Sequence, residues 1–520
     1  MIPRIEKRGR AHQLIVDDHP YIILGGELHN SSGASLADMK KSFARLRALN
    51  LNTVVAPVSW ELIEPEEGRF DFHLIEGMIA AARSNGLKLV LLWFGAWKNG
   101  KSCYAPAWVK TDVRRFPRVE TKTGQLTDVL SPFHDDIRRA DATAFAALMG
   151  RVRAIDAEQS TVIMVQVENE VGILGQPRDF SAAAEADFAG PVPDGLMSYL
   201  KKNEAALLPA VSHSWEVAGK RLVGTWPEVF GEDADEIFMA WHLAGHMDAV
   251  AAAGNREYAL PMYVNAWLKQ AGMMRAGQYP SGGPISDMLD VWRAAAPHIA
   301  FLAPDIYVES FKEVCASYTR SGNPLFIPEA QKDVRVCGQA MYAIGEHAAM
   351  GFSPFAVDDL EADHPLGKTY ALMGQILGRI AEAQSAGRIF GFYQETENDS
   401  SRNTMGRVCI HATSNWPRSK MAVPGGGFVI MLSDDECLAV GQNYWLEFSH
   451  PGAGVPDIEL LSVEEGTLEG GEFIPLRRLN GDETLHGRGV PLREGMTVCR
   501  AKLNLSIAPI QFQPEWQFPT

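Results

Sequence analysis

Two glutamates carry the chemistry this sequence offers. Glu170 sits near the end of the run MVQVENEVG (164–172), and Glu329 lies in PLFIPEAQ (324–331). Each stands at the polar end of an apolar, strand-like stretch. Acidic groups are rarely fully buried unless paired, so a strand tip that carries them faces either a cleft or a solvated loop. Two carboxyls facing each other across a substrate perform glycoside hydrolysis: one protonates the leaving oxygen and the other attacks the anomeric carbon. A separation of about 5–5.5 Å makes the outcome retention, through a covalent glycosyl-enzyme. With Glu329 ionised, mutual repulsion favours neutral Glu170, which then acts as the acid; once Glu329 is consumed in the ester, Glu170 loses its proton and serves as base. Alternate residues of a strand share a face, so Glu168 and Glu170 are expected to point the same way. Glu168 is then a hydrogen-bond or salt-bridge partner rather than a third catalyst.

Such a pair needs a scaffold that brings distant strand ends together. Eight short apolar runs recur, at 20–29, 53–60, 88–95, 161–170, 261–268, 299–307, 324–331 and 351–359. Between them lie helical patterns such as SLADMKKSFARLRALN and LIEGMIAAARSNG, the second stopped by Asn85-Gly86. Continuous apolar strands alternating with helices indicate a parallel sheet covered on both faces. The expectation is an α/β fold, a (β/α)8 TIM barrel, with a doubly wound sheet as the structural alternative. Each of the eight runs carries a polar or aromatic residue at its last or last-but-one position, as a barrel's rim requires. The long intervals 96–160 and 171–260 must hold extended loops or extra helices that reshape the cleft. Beyond about residue 385 the texture becomes alternating and rich in glycine and aspartate turns, which reads as an all-β sandwich. The expected division is 1–385, a catalytic barrel with a short N-terminal β lead-in, and 386–520, an accessory sandwich. That sandwich could be a lid, a contact in a homodimer or a sugar-binding accessory.

The bulk composition narrows the partners. The 520 residues include 48 Lys and Arg against 64 Asp and Glu, a formal net charge of −16. That balance weighs against nucleic acid or an anionic membrane surface and suits a neutral substrate such as a sugar. No apolar run approaches a membrane span of roughly 20 residues. The start, MIPRIEKRGRAHQLIV, is not a recognisable signal peptide, so the chain is expected to be cytoplasmic or to begin after a removed leader. Cys103, Cys315, Cys337, Cys409, Cys437 and Cys499 are scattered without a Cys-x-x-Cys pair, which argues against a zinc knuckle or redox motif. The segment FHDD (133–136) reads as a surface loop rather than a metal site.

The run VQVENEVG resembles the fourth-strand motif of glycoside hydrolase family 35, the retaining β-galactosidases of clan A. LGGELHNSS (24–32) is similar to that family's first strand, and LNLNTVVAPVSWELIEPEEGRFDF (49–72) to its second strand and following loop. There Trp60, Glu64, Pro65, Gly68 and Phe70 fall in the family's order and spacing. The C-terminal region resembles the sandwich of one bacterial branch of the family. The resemblance implies Glu170 as acid/base, Glu329 as nucleophile, and Asn169 as a hydrogen-bond partner of the sugar hydroxyl beside the anomeric carbon. It implies Tyr307 as the group that holds Glu329 in position. It further implies a substrate with a terminal β-galactoside and no metal or organic cofactor. The chain departs from the family pattern at Val171, where an aromatic is usual, at Pro57, where a galactose-binding tyrosine is expected, and in LLWFGAWKNG, where a Cys-Ala-Glu-Trp-like run is common. Another β-linked sugar, or a barrel that binds carbohydrate without turnover, is therefore the alternative.

Among the aromatics, Trp93, Trp97 and Trp267 lie at or just past strand ends, where rings stack on sugar faces. Trp60 could equally be barrel packing. His29, at the tip of the first strand, is a candidate sugar contact. Asp358 and Asp359, at the end of the eighth, could touch a distal sugar or sit in a solvated loop.

Overall fold

The computed structural model describes residues 1–414 and 423–512. The chain enters through a small antiparallel sheet, Arg4–Arg8, Ala11–Val16 and His19–Tyr21, whose second turn is made by Asp17 and Asp18 at φ 50° and 65°. Those left-handed residues form the tight turn that suits the twist of a two-stranded hairpin.

Eight parallel strands follow: β1 (Ile23–Glu27), β2 (Thr53–Ser59), β3 (Lys88–Lys98), β4 (Val162–Asn169), β5 (Met262–Trp267), β6 (Phe301–Ile306), β7 (Glu329–Ala330) and β8 (Gly351–Phe352). Neighbours in sequence are neighbours in space, and β8 pairs with β1. The last seam, between the β7 and β8 segments, is a parallel bridge at Ile327 and Phe352: Ser353 donates its amide to Ile327 at 2.9 Å. The sheet is a closed (β/α)8 barrel.

Strand alternation divides the apolar residues into two sets. Val55, Val90, Leu92, Phe94, Tyr263, Phe301 and Phe326 pack along the axis, whereas Val54, Leu89, Leu91, Trp93 and Val165 pack outward against the helices. The helices include α1 (Leu36–Ala48), α2 (His73–Ser84), α3 (Asp135–Asp156) and α4 (Ala234–Glu257). Ser35 caps α1 by accepting from the Asp38 amide, and Asn85 ends α2 where the sequence places the stop. The long intervals hold a hairpin (Arg118–Glu120 with Leu126–Leu130) and the short helices Ala182–Phe188, Asp194–Lys202 and Pro209–Val217. No described helix is long and apolar enough to cross a membrane. The six cysteines are unpaired among the described residues, five of them buried and Cys103 exposed.

From Ile389 onward the described residues form antiparallel sheets of six and four strands. Phe392, Val429 and Ala439 of the larger sheet face Ile410, Leu446 and Phe448 of the smaller, which makes a sandwich core. The other face of the larger sheet, through Phe428, Ile430, Leu438 and Val440, joins the barrel's outer core beside the helix Val336–Glu346. The strands Ile389–Tyr393, Gly426–Met431 and Glu436–Gln442 of the larger sheet are thus buried on both faces.

Candidate active site

The C-terminal strand ends converge on a cleft of about 370 Å³ lined by Lys98, Asn99, Glu170, Trp267, Asp305, Tyr307 and Glu329, with Asn30 and Phe355 at its edge. That volume lies within the range of small-molecule sites. One carboxylate oxygen from each of Glu170, Asp305 and Glu329 lies within 4.8 Å of the others.

Glu329 is held by donors. Tyr307 donates its hydroxyl to Oε2 at 2.9 Å, Asn169 donates Nδ2 to Oε1 at 3.1 Å, and Asn265 approaches Oε1 at 3.5 Å. Asn169 also accepts from the Lys98 ammonium at 3.0 Å, so the amide is gripped between Lys98 and Glu329. Glu170 accepts from Asn99 Nδ2, and its own amide donates to Asn265 Oδ1 at 3.0 Å. Burial, and then the charge of Glu329, pushes the Glu170 carboxyl up to about 7, with Lys98 opposing. Desolvation therefore outweighs the repulsion that strand pairing alone suggests.

Glu168 and Glu170 do not share an orientation. Both have positive φ, 62° and 44°, which breaks the alternation of an extended strand. Glu168 turns away from the cleft and accepts backbone amides of Gly95 (3.2 Å), Ala96 (2.9 Å) and Trp97 (2.7 Å). It thereby fixes the end of β3 that delivers Lys98 and Asn99. Burial and the neighbouring Asp141 push its carboxyl well above the usual range, against those amides. Glycine is required at 95 because a Cβ there would lie 2.4 Å from Glu168 Oε1.

Trp93 and Trp97 are corrected: neither reaches the cleft. Trp93 is fully buried on the helical side of β3, its Nε1 donating to Asp141 at 2.8 Å and its ring tilted on Phe145. Odd positions of β3 face the helices, so strand parity decides its place. Trp97 is fully buried edge-on against His246. Trp93→Phe should cost roughly 1–3 kcal/mol of stability, because it leaves a buried Asp141 oxygen without that donor. Urea unfolding checks this, and specific activity of the folded variant should match wild type.

Trp267 lines the cleft, half-buried. His29 stands at the rim, edge-on to Phe355, and bonds Asp358 at 2.7 Å. Asp358 also accepts from Ser32 Oγ, so it joins the loops after β8 and β1. Trp60 is packed and donates to Glu64 at 2.9 Å.

Sequence reasoning missed Lys98, Asn99, Asn265, Asp305 and Glu27. Asn265 is the hub, touching the Glu170 amide, Glu329 and, at 2.6 Å, Asp305 Oδ2. Glu27 is fully buried with neither carboxylate oxygen hydrogen-bonded to a protein group, and burial followed by the charge of Glu329 pushes it well above the usual range. A polar residue inside an apolar strand, as in MYVNAW and FLAPDI, was the available signal.

A closed barrel with paired carboxyls at its C-terminal rim is the architecture of many (β/α)8 hydrolases. Residues 13–205, which span β1 to β4 and Glu170, match the family model described as Glycosyl hydrolases family 35. Residues 366–491 match a model described as Domain of unknown function (DUF5597). A Beta-galactosidase of Xanthomonas manihotis is 28% identical over 182 residues, covering 33% of this chain and 27% of that protein. Beta-galactosidase-1-like protein 3 of Homo sapiens is 27% identical over 184 residues, covering 33% and 25%. The chain therefore spans about a quarter of the length of these curated relatives. Among solved structures, beta-galactosidase from Bacillus circulans sp. alkalophilus aligns with a TM-score of 0.48 at 15% identity, over 71% of this chain and 58% of that one.

Proposed function

We propose that this chain is a retaining glycoside hydrolase that releases terminal β-linked galactose from oligo- or polysaccharides, with Glu170 as acid/base and Glu329 as nucleophile. The observation that carries this reading is the approach of Glu170 and Glu329 to within 4.8 Å in one cleft. Their environments differ, one cradled by three donors and the other pushed up to about 7. Such closeness leaves no room for a water between nucleophile and sugar, which favours double displacement over inversion. In the first step Glu329 attacks the anomeric carbon while Glu170 protonates the departing oxygen. In the second Glu170 takes a proton from water, which displaces Glu329. In this reading Trp267 stacks on the sugar, Lys98 meets its hydroxyls and His29 acts from the rim, while the buried Asn169 holds Lys98 and Glu329 rather than reaching the sugar. The division at 385/386 belongs to the same proposal, the barrel carrying the chemistry and the sandwich supporting it.

Proton NMR of the first-formed sugar tests the stereochemistry; appearance of the α anomer before mutarotation would sink the double-displacement reading. The rate should also follow Glu170. As pH rises through about 7 the acid is lost, so kcat/KM should fall there. A flat profile between pH 6 and 9 would contradict the assignment.

A second reading has its own support. Lys98 and Asn99 line the cleft from the strand whose end departs from the family pattern, and Pro57 stands where a galactose-binding tyrosine is expected. Another β-linked sugar would then be the substrate. Initial rates on matched aryl β-glycosides decide between them, and sugar binding without hydrolysis on any would indicate a barrel that only binds.

A further inference from the structure

Three carboxyls meet at this centre, and double displacement uses two. Asp305 is the last-but-one residue of β6, opposite Glu329 in the parallel register on one side and Trp267 on the other. Its Oδ2 accepts from Asn265 Nδ2 at 2.6 Å, but its Oδ1 is buried and finds no donor. What faces it instead is acidic: Glu170 and Glu329, each with an oxygen within 4.8 Å, and Glu27 beyond them. The tyrosines Tyr263, Tyr307 and Tyr318 also face it, all neutral groups at ordinary pH. Among the described residues Lys98 is a cation facing the cluster, and its ammonium is bonded to Asn169. Buried polar oxygens in native proteins are hydrogen-bonded, and carboxyls this close cannot all ionise. Glu329 has three protein donors, whereas Asp305 has one, and a proton on its other oxygen would give that oxygen a partner in Glu170.

We propose that Asp305 is a positioning residue for the acid/base: it stays a neutral carboxylic acid through the cycle and donates a hydrogen bond to the Glu170 carboxylate each time that carboxylate forms. This rests on the reading of Glu170 given above. In the first step the Glu170 proton passes to the glycosidic oxygen, the bond from that oxygen to the anomeric carbon breaks, and a Glu329 oxygen forms the ester. The new Glu170 anion is then held by Asn99 and by the Asp305 hydroxyl, whose proton stays on Asp305. In the second step water gives its proton to Glu170, its oxygen bonds to the anomeric carbon, and Glu329 leaves as carboxylate. Burial and the surrounding negative charges hold the Asp305 carboxyl well above the usual range, in keeping with this role.

Asp305→Asn and Asp305→Ala separate the possibilities. An asparagine amide can still donate to Glu170 while its carbonyl accepts from Asn265, so the alkaline limb of kcat/KM should stay where wild type has it. Alanine removes the donor, so the Glu170 anion is less favoured and the limb should move up by about one pH unit, the worth of one charge-assisted hydrogen bond. A downward shift in Asp305→Asn would show that Asp305 carries a charge, and an unmoved limb in Asp305→Ala would show that it only packs; either overturns the proposal. Infrared difference spectra of wild type against Asp305→Asn at neutral pH supply a readout without turnover. Loss of one protonated-carboxyl carbonyl band is expected, and its absence overturns the proposal. Because this measurement needs no substrate, an inactive enzyme would refute the glycosidase reading alone. Should Asp305→Ala fail to fold, the asparagine variant and the infrared band decide.

Discussion

Glu329→Gln is expected to lower kcat/KM on any substrate by on the order of 10⁴-fold or more, the usual consequence of deleting a group on which a covalent intermediate forms. The amide is isosteric. It can still accept from Asn169 and Asn265 at Oε1, and its N–H₂ can donate to the Tyr307 oxygen, which now donates to Glu329 at 2.9 Å. The fold should therefore survive, with a thermal midpoint at or above that of wild type, since the substitution removes a negative charge from a buried acidic cluster. The same change should lower the pKa of Glu170 from about 7, because the repulsion of Glu329 is one of its causes. Stopped assays with an activated aryl glycoside, alongside thermal denaturation, check both halves. Appreciable residual turnover with a good leaving group would mean that another carboxyl, with Asp305 the nearest, is the nucleophile.

Glu170→Ala should divide substrates by leaving group. Where the departing oxygen needs a proton, kcat/KM should fall by roughly 10²–10⁴-fold, the contribution of a general acid. For an activated aryl leaving group the first step should be nearly intact, and the loss should appear in the second step as a burst followed by slow release. The decline of rate above pH 7 should also vanish, because the group that titrates there is gone. Equal losses on activated and unactivated substrates would contradict the acid role.

Much of the architecture was legible because it depends on local patterns. All eight barrel strands begin within the apolar runs read from the sequence, with β3 continuing to Lys98 beyond its run, and the sandwich begins where alternation replaces helical periodicity. The acidic tips of β4 and β7 were visible as polar residues ending apolar stretches. Trp93 was misplaced because a tryptophan near a strand end looks the same whichever way it points; only its register in β3 puts it on the helical face. Glu168 was misplaced because a left-handed residue leaves no mark in a Val-Glu-Asn-Glu string. Asn265 and Asp305 were passed over because a polar residue inside an apolar strand does not by itself say that barrel closure carries it to Glu329.

The sequence by itself determined the fold class, through runs whose periodicity admits a buried parallel sheet wrapped in helices, and it showed which two glutamates stand at the polar ends of apolar runs. Only the tertiary structure decided which side chains meet. Closure of the barrel joins residues 27, 98, 170, 265, 305 and 329 around one axis, and contacts of that sequence separation have no local signature. It also decided the protons: how far a carboxyl departs from its ordinary ionisation depends on burial, on neighbouring charge and on donors, all of which come into being when the strands close.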